Sequence, residues 1–299
     1  MTTPLTRRQA LVGLAAVAVL AGCRPAGALP PSQPADRLDL AGIEDRHGAR
    51  IGMYAVDLGS GTSLAHGADD RFAMCSTFKT YAAARVLQLA DQDRLQLDTP
   101  VPVTESDIVT HAPVTGTKVG QAMSLAELCA AALIESDNTA GNLLLRTIGG
   151  PSAITEFARS VGDDQTRLDR WETELNAALP GDLRDTTTPR ALGIGYREVL
   201  TGTALSDTAR ERLLTWMRSN ITAGKRFRAA LPPGWTSADK TGAGDYGTTN
   251  DAGLLIGPAG QRVIMVVLTR SRDDQPEAGP YNDAIAETVD LTLEALGHR

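Results

Sequence analysis

Histidine is scarce in this 299-residue chain, and the four present (His47, His66, His111 and His298) are scattered. No two have the spacing of a ligand pair, which argues against a metal centre. Cysteine is scarcer still, at Cys23, Cys75 and Cys129. Sequence alone cannot place two cysteine side chains within bonding distance. Lysine supplies only four of the 29 basic residues, so each of its positions is informative. A net charge of −7 leaves no basic excess for nucleic acid as the main partner. Beyond the first 23 residues no segment is apolar enough to cross a membrane, and there are no internal repeats. What is present is ordinary: 42% hydrophobic and 22% charged residues, near globular averages, so a packed core is expected.

The first 23 residues read as an export signal. Thr6-Arg7-Arg8-Gln9 is a twin-arginine-like head, and Ala10 to Leu20 is an apolar run too short to span a bilayer comfortably. Leu20-Ala21-Gly22-Cys23 then resembles a bacterial lipoprotein cleavage box with Cys23 as the lipidated residue. The expected product is an exported, extracytoplasmic protein, lipid-anchored or secreted, and monomeric. Cleavage removes Arg7 and Arg8 and no acids, leaving the mature chain more acidic still. Residues 24–35, rich in proline, read as an extended tether.

A helical pattern runs from there to about Arg46, and Arg50 to Leu58 alternates as a strand. From Ser76 to about Thr201 the signals are mostly helical, including Phe78–Ala90, Leu125–Leu133 and Thr139–Ile148. Trp171 to Pro189 has turn formers and acids without periodicity, the mark of a long ordered loop. After a helix around Leu205–Arg218, strands are expected at Ser237–Thr241, Asp251–Ile256 and Arg262–Thr269, then a terminal helix at Ala284–Leu296. The reading is an α+β fold: an antiparallel sheet of about five strands flanked by N- and C-terminal helices, with an inserted all-α domain. Residues 36–74 and 219–299 would form the α/β domain and 75–218 the helical one, with the site in the cleft between them.

Three short motifs carry chemistry. Ser76-Thr77-Phe78-Lys79 opens a helix, and three-residue spacing sets Lys79 one turn from Ser76 on the same face. A serine needs a neighbouring base or cation to become a nucleophile. A second match, Ser237-Ala238-Asp239-Lys240, lies in a strand, where that spacing puts the two on different faces. Ser136-Asp137-Asn138 lies between two helical stretches, and alone reads as a loop and cap. Lys240-Thr241-Gly242 ends a strand, where glycine lets another backbone or a ligand approach.

Together and in this order the motifs resemble those of class A serine β-lactamases and penicillin-binding proteins. The resemblance covers roughly residues 36–297. It implies Ser76 as nucleophile, Lys79 as its proton partner and Ser136 as relay to the leaving nitrogen. Asn138 would bind the substrate side-chain amide, Lys240 and Thr241 would face its carboxylate, and Gly242 would line the substrate site. The oxyanion hole would be the N–H groups of Ser76 and Ala243. Arg167-Leu-Asp-Arg-Trp-Glu-Thr-Glu-Leu-Asn176, followed by Arg184-Asp185-Thr-Thr, resembles the Ω-loop (about 167–185) of class A enzymes. By that likeness Glu172 and Asn176 hold the hydrolytic water, and Arg170 pairs with Asp185 at the loop's neck. No cofactor is implied, only β-lactam and water.

Four features depart from the commonest pattern. Thr173 follows the loop glutamate where many members have a cis-linked proline. Thr249 stands where familiar members carry an arginine, and Arg226 matches the substitute arginine of a branch that includes actinobacterial enzymes; a plain surface arginine is the competing reading. Cys75 and Cys129 each lack the partner with which some members bridge them, Gly244 and Ala83 standing there, so both are expected free. His111 stands at the cleft-edge position often held by an aromatic, where the two readings are stacking on substrate and a solvated loop histidine, the second being the expectation. The activity implied is hydrolysis of penicillins and cephalosporins through an acyl-serine, conferring antibiotic resistance. The alternatives are a penicillin-binding DD-carboxypeptidase, a class that shares the other motifs but lacks the Glu172 loop, and a β-lactam sensor, a class that usually hangs from several membrane helices where this chain has only a signal segment.

Overall fold

The computed structural model describes Met1 and residues 36–299. The export signal apart from Met1, the tether and Cys23 lie outside the described residues. Strand β1 (Asp36–Arg37) and helix α1 (Ala41–His47) are followed by β2 (Ala49–Asp57) and β3 (Ser63–His66). The two-residue β4 (Phe72–Ala73) leads into a 3₁₀ turn at Cys75–Thr77 and then α2 (Phe78–Asp91). Beyond lie β5 (Pro100–Pro102), β6 (Ala122–Ser124), α3 (Leu125–Ile134), α4 (Asn138–Ile148) and α5 (Pro151–Ser160). Then come β7 (Thr186–Thr187), α6 (Pro189–Thr201), α7 (Asp207–Arg218), β8 (Thr236–Ala243), β9 (Thr249–Ile256), β10 (Arg262–Ser271) and α8 (Asn282–Ala295).

The main sheet has six strands in the order β1-β3-β2-β10-β9-β8, antiparallel except for the β1–β3 pair. Both chain ends build it, with β10 pairing along its length with β2 from Val263–Asp57 to Ser271–Ala49. Residues along β2, β9 and β10 are buried almost without interruption. That follows from cover on both faces. On one face Ile43 of α1 and Ile285 and Val289 of α8 pack with Met53 and Met265. On the other, Phe78, Leu133 and Leu192 share one apolar cluster with Ala238, Leu254 and Val266. The core therefore runs unbroken from the helices of the middle segment into the sheet.

Local signals place the helices. Ser124 and Glu127 form a capping box on α3, and the Asp137 carboxylate accepts the Ala140 N–H at the start of α4. Helix α2 is buried over most of its surface, as an alanine-rich, apolar helix through a domain's interior must be, with Arg85 and Gln88 on its one partly open face. Two expectations shift. The helix before β2 is only seven residues long, because Asp36 and Arg37 pair with Leu64 and Ala65. The middle segment also contains the small β5–β6 pair. Strands of two or three residues carry too little alternation to be read from sequence.

Candidate active site

The nucleophile turn is held from several sides. Asn250 Nδ2 donates to the carbonyls of Ala73 (2.9 Å) and Met74 (3.3 Å), and Thr77 Oγ1 to Met74 O (2.7 Å). Tyr196 OH, from α6, donates to Thr77 O at 2.7 Å. Cys75, immediately before Ser76, has φ 44°, and Ser136 has φ 58°. Left-handed backbone at two residues with Cβ atoms is a cost that the surrounding bonds must outweigh, and both flank the reactive groups.

Ser76 and Lys79 meet as their spacing requires, with Lys79 Nζ donating to Ser76 Oγ at 2.9 Å. Lys79 is fully buried, and its ammonium also reaches Ser136 O (2.8 Å), Asn138 Oδ1 (2.6 Å) and Glu172 Oε1 (3.0 Å). Burial pushes its pKa below the ordinary lysine value, against which the Glu172 carboxylate holds the charge. Ser76 Oγ donates in turn to Glu172 Oε1 at 3.3 Å.

Lys240 is likewise fully buried and donates to Ser136 Oγ (3.0 Å) and to Thr241 O (2.9 Å). Burial, and then repulsion from Lys79 and Arg226, pushes its pKa well below the ordinary value. Glycine is required where β8 closes on the nucleophile turn. A Cβ on Gly242 would lie 2.9 Å from Met74 O, and one on Gly244 2.6 Å from Asn176 O and 2.7 Å from Cys75 Sγ. Ala243 ends the strand beside Ser76's turn. Cys75 and Cys129 are buried free thiols.

Arg226 is half-buried against the underside of β8. Its Nη1 donates to Gly242 O (2.8 Å) and Asn250 O (2.7 Å), and its Nε to Asn282 Oδ1 (2.9 Å). The surface reading of this residue is excluded. Thr249, the alternative position, instead donates its hydroxyl to Gly247 O.

The loop carrying Glu172 is closed at its neck by Arg170 Nε on Asp185 Oδ2 (2.5 Å), while Asp185 Oδ1 accepts the N–H groups of Asp169 and Arg170. Glu172 Oε2 accepts from Asn176 Nδ2 at 2.6 Å. Asn176 Oδ1 is buried without a hydrogen-bond partner among the described residues. The Glu172–Thr173 peptide is cis. Asn142 was not singled out from sequence, yet it accepts Glu172 N–H (2.9 Å) and donates to Glu172 O (2.8 Å). Its one signal is its place one turn after Asn138, on the same face of α4. Asn250 and Thr222 were also missed; neither had a local pattern. His111 is exposed, with Nε2 3.0 Å from Glu135 O.

The assembled groups are those that acyl transfer to serine requires: a hydroxyl between an ammonium and a carboxylate, beside a second serine and a second lysine. Residues 36–292 match the model of the β-lactamase enzyme family. The chain belongs to the β-lactamase enzyme family. It is 47% identical to a β-lactamase of Streptomyces lavendulae, over 97% of each chain. The β-lactamase FAR-1 of Nocardia farcinica is 40% identical, over 97% of this chain and 96% of its own. Among solved structures, an ancestral class A β-lactamase superposes with a TM-score of 0.82 at 46% identity, covering 86% of this chain and 98% of its own. A β-lactamase from Desulfarculus baarsii does so with a TM-score of 0.84 at 43% identity, covering 86% of this chain and 96% of its own. The α+β class A fold and the class A β-lactamase reading both hold, with the actinobacterial relatives that the Arg226 branch implies.

Proposed function

We propose that this β-lactamase works through the residues gathered around Ser76. The observation that carries the assignment is the position of Ser76 Oγ, 2.9 Å from Lys79 Nζ and 3.3 Å from Glu172 Oε1. Ser76 Oγ attacks the β-lactam carbonyl carbon while its proton passes to the Lys79–Glu172 pair. The carbonyl oxygen takes up negative charge facing the N–H groups of Ser76 and Ala243. The C–N bond then breaks, and the proton returns through the Ser136 hydroxyl to the ring nitrogen. Lys240 and Thr241 receive the ligand carboxylate, with Arg226 beneath them. Lys240 Nζ keeps its charge best when that carboxylate is in place.

Deacylation falls to Glu172 and Asn176. A water donating to Asn176 Oδ1, which has no partner among the described residues, and to Glu172 stands ready to attack the ester. Glu172 takes one proton, the ester C–O bond breaks, and Ser76 recovers its hydroxyl. Asn142 positions the glutamate by gripping its backbone on both sides. The test is steady-state turnover of a chromogenic cephalosporin by the mature protein. Many product molecules per enzyme are expected, and none from Ser76→Ala. A burst of one product per enzyme followed by arrest would contradict the assignment and favour a receptor or transpeptidase.

A further inference from the structure

Thr241 ends the wall of the site, and its hydroxyl lies 2.5 Å from that of Thr222, in the loop after α7. Which of the two donates follows from the groups behind them. Asn220 Nδ2 faces Asp239 O (3.1 Å) and Asp239 Oδ2 (2.8 Å), and the first of these can only accept. The other end of the same amide accepts the Thr222 backbone N–H at 2.9 Å, and a backbone N–H can only donate. The Asn220 amide therefore has one orientation, with Oδ1 toward Thr222. Thr222 Oγ1 lies 2.7 Å from that oxygen and donates to it. A hydroxyl has a single proton. Thr222 must then accept from Thr241, and the Thr241 proton points into the protein.

We propose that Thr222 sets the proton direction of Thr241, so that the resting site offers an incoming carboxylate only the lone pairs of that hydroxyl. For Thr241 to donate to a ligand, the two oxygens would face each other at 2.5 Å with no proton between them. Thr222 is thus a positioning residue that limits affinity for the carboxylate and leaves its recognition mainly to Lys240 and Arg226. The inference rests on the assignment of Thr241 to the ligand carboxylate.

The test is a double-mutant cycle on benzylpenicillin hydrolysis with Thr222→Val, Thr241→Val and the double variant, and with Thr222→Ser as the conservative control. Valine keeps the shape and the Thr222 N–H while removing the hydroxyl. Thr222→Val is expected to lower KM about fivefold, the worth of a hydrogen bond regained, with kcat shifting less than about twofold. Thr222→Ser should keep the parent KM. Thr241→Val should raise KM several-fold more in the Thr222→Val background than alone. An unchanged or raised KM for Thr222→Val, with the serine variant folded and active, overturns the proposal. If Thr241→Val alone then raises KM several-fold, only the proton direction was wrong. If neither Thr241 variant moves KM, the carboxylate assignment falls with it.

Discussion

The two buried lysines of the site occupy unlike pockets. Around Lys79 Nζ the protein supplies Ser76 Oγ, Ser136 O, Asn138 Oδ1 and the Glu172 carboxylate, all within 3.0 Å. Around Lys240 Nζ it supplies one hydroxyl and one carbonyl, and no carboxylate among the described residues makes an ion pair with it. The nearby acids do not make up the difference. Asp239 is paired with Arg228 at 3.0 Å, and burial together with Asp239 pushes the Asp251 carboxyl toward its neutral form. A buried cation without a counter-ion is costly. Lys79 is compensated by the protein and Lys240 is left to be compensated by the ligand. The first arrangement suits a group that moves protons within the site; the second converts a desolvation cost into affinity for an anion.

Lys240→Ala should separate the two most strongly. It is expected to raise KM by about 1.5–3 kcal/mol, some ten- to hundredfold, because a charge-assisted bond is lost. The pH dependence sharpens the point. Burial lowers the Lys240 pKa in the free enzyme, and a bound carboxylate raises it again, so binding retains a proton that the free site gives up as pH rises. KM should therefore climb with pH before an ordinary lysine would titrate. In Lys240→Arg the charge persists and the climb should vanish. An alkaline KM profile identical in the two would break the comparison.

Arg226 offers a smaller effect. Nε and Nη1 are spent on Asn282, Gly242 and Asn250. Only Nη2 is left to reach a ligand. Arg226→Ala is expected to raise KM about five- to tenfold, near the worth of one hydrogen bond, with kcat changing less. Thr249→Arg in the same chain should recover part of the loss. Steady-state rates with a penicillin check both, and an unchanged KM would reduce Arg226 to a strut beneath β8.

How much of this was legible in the sequence depends on distance along the chain. Ser76 and Lys79 are one helical turn apart, so their meeting follows from local geometry. The same geometry rejected Ser237 and Lys240 as a pair, and Ser237 Oγ indeed donates to Asp239 Oδ1 instead, at 2.5 Å. The Arg170–Asp185 neck could be anticipated only through family likeness, since the two stand fifteen positions apart in an aperiodic loop. Arg226 stood undecided until β8 and β9 placed two carbonyls under its guanidinium. Asn250, gripping the nucleophile turn from β9, and Thr222, joined to Thr241 from the loop after α7, were not legible at all. Their roles come from sheet register and loop packing, which no short pattern records.

The central claim is that Ser76 is acylated and that Glu172 supplies its release. Intact-mass spectrometry of Glu172→Ala mixed with a penicillin tests it most directly. The account predicts that the protein gains the mass of one penicillin, that the added mass persists, and that it maps to the Ser76 peptide. Free protein accompanied by continued product formation would contradict it.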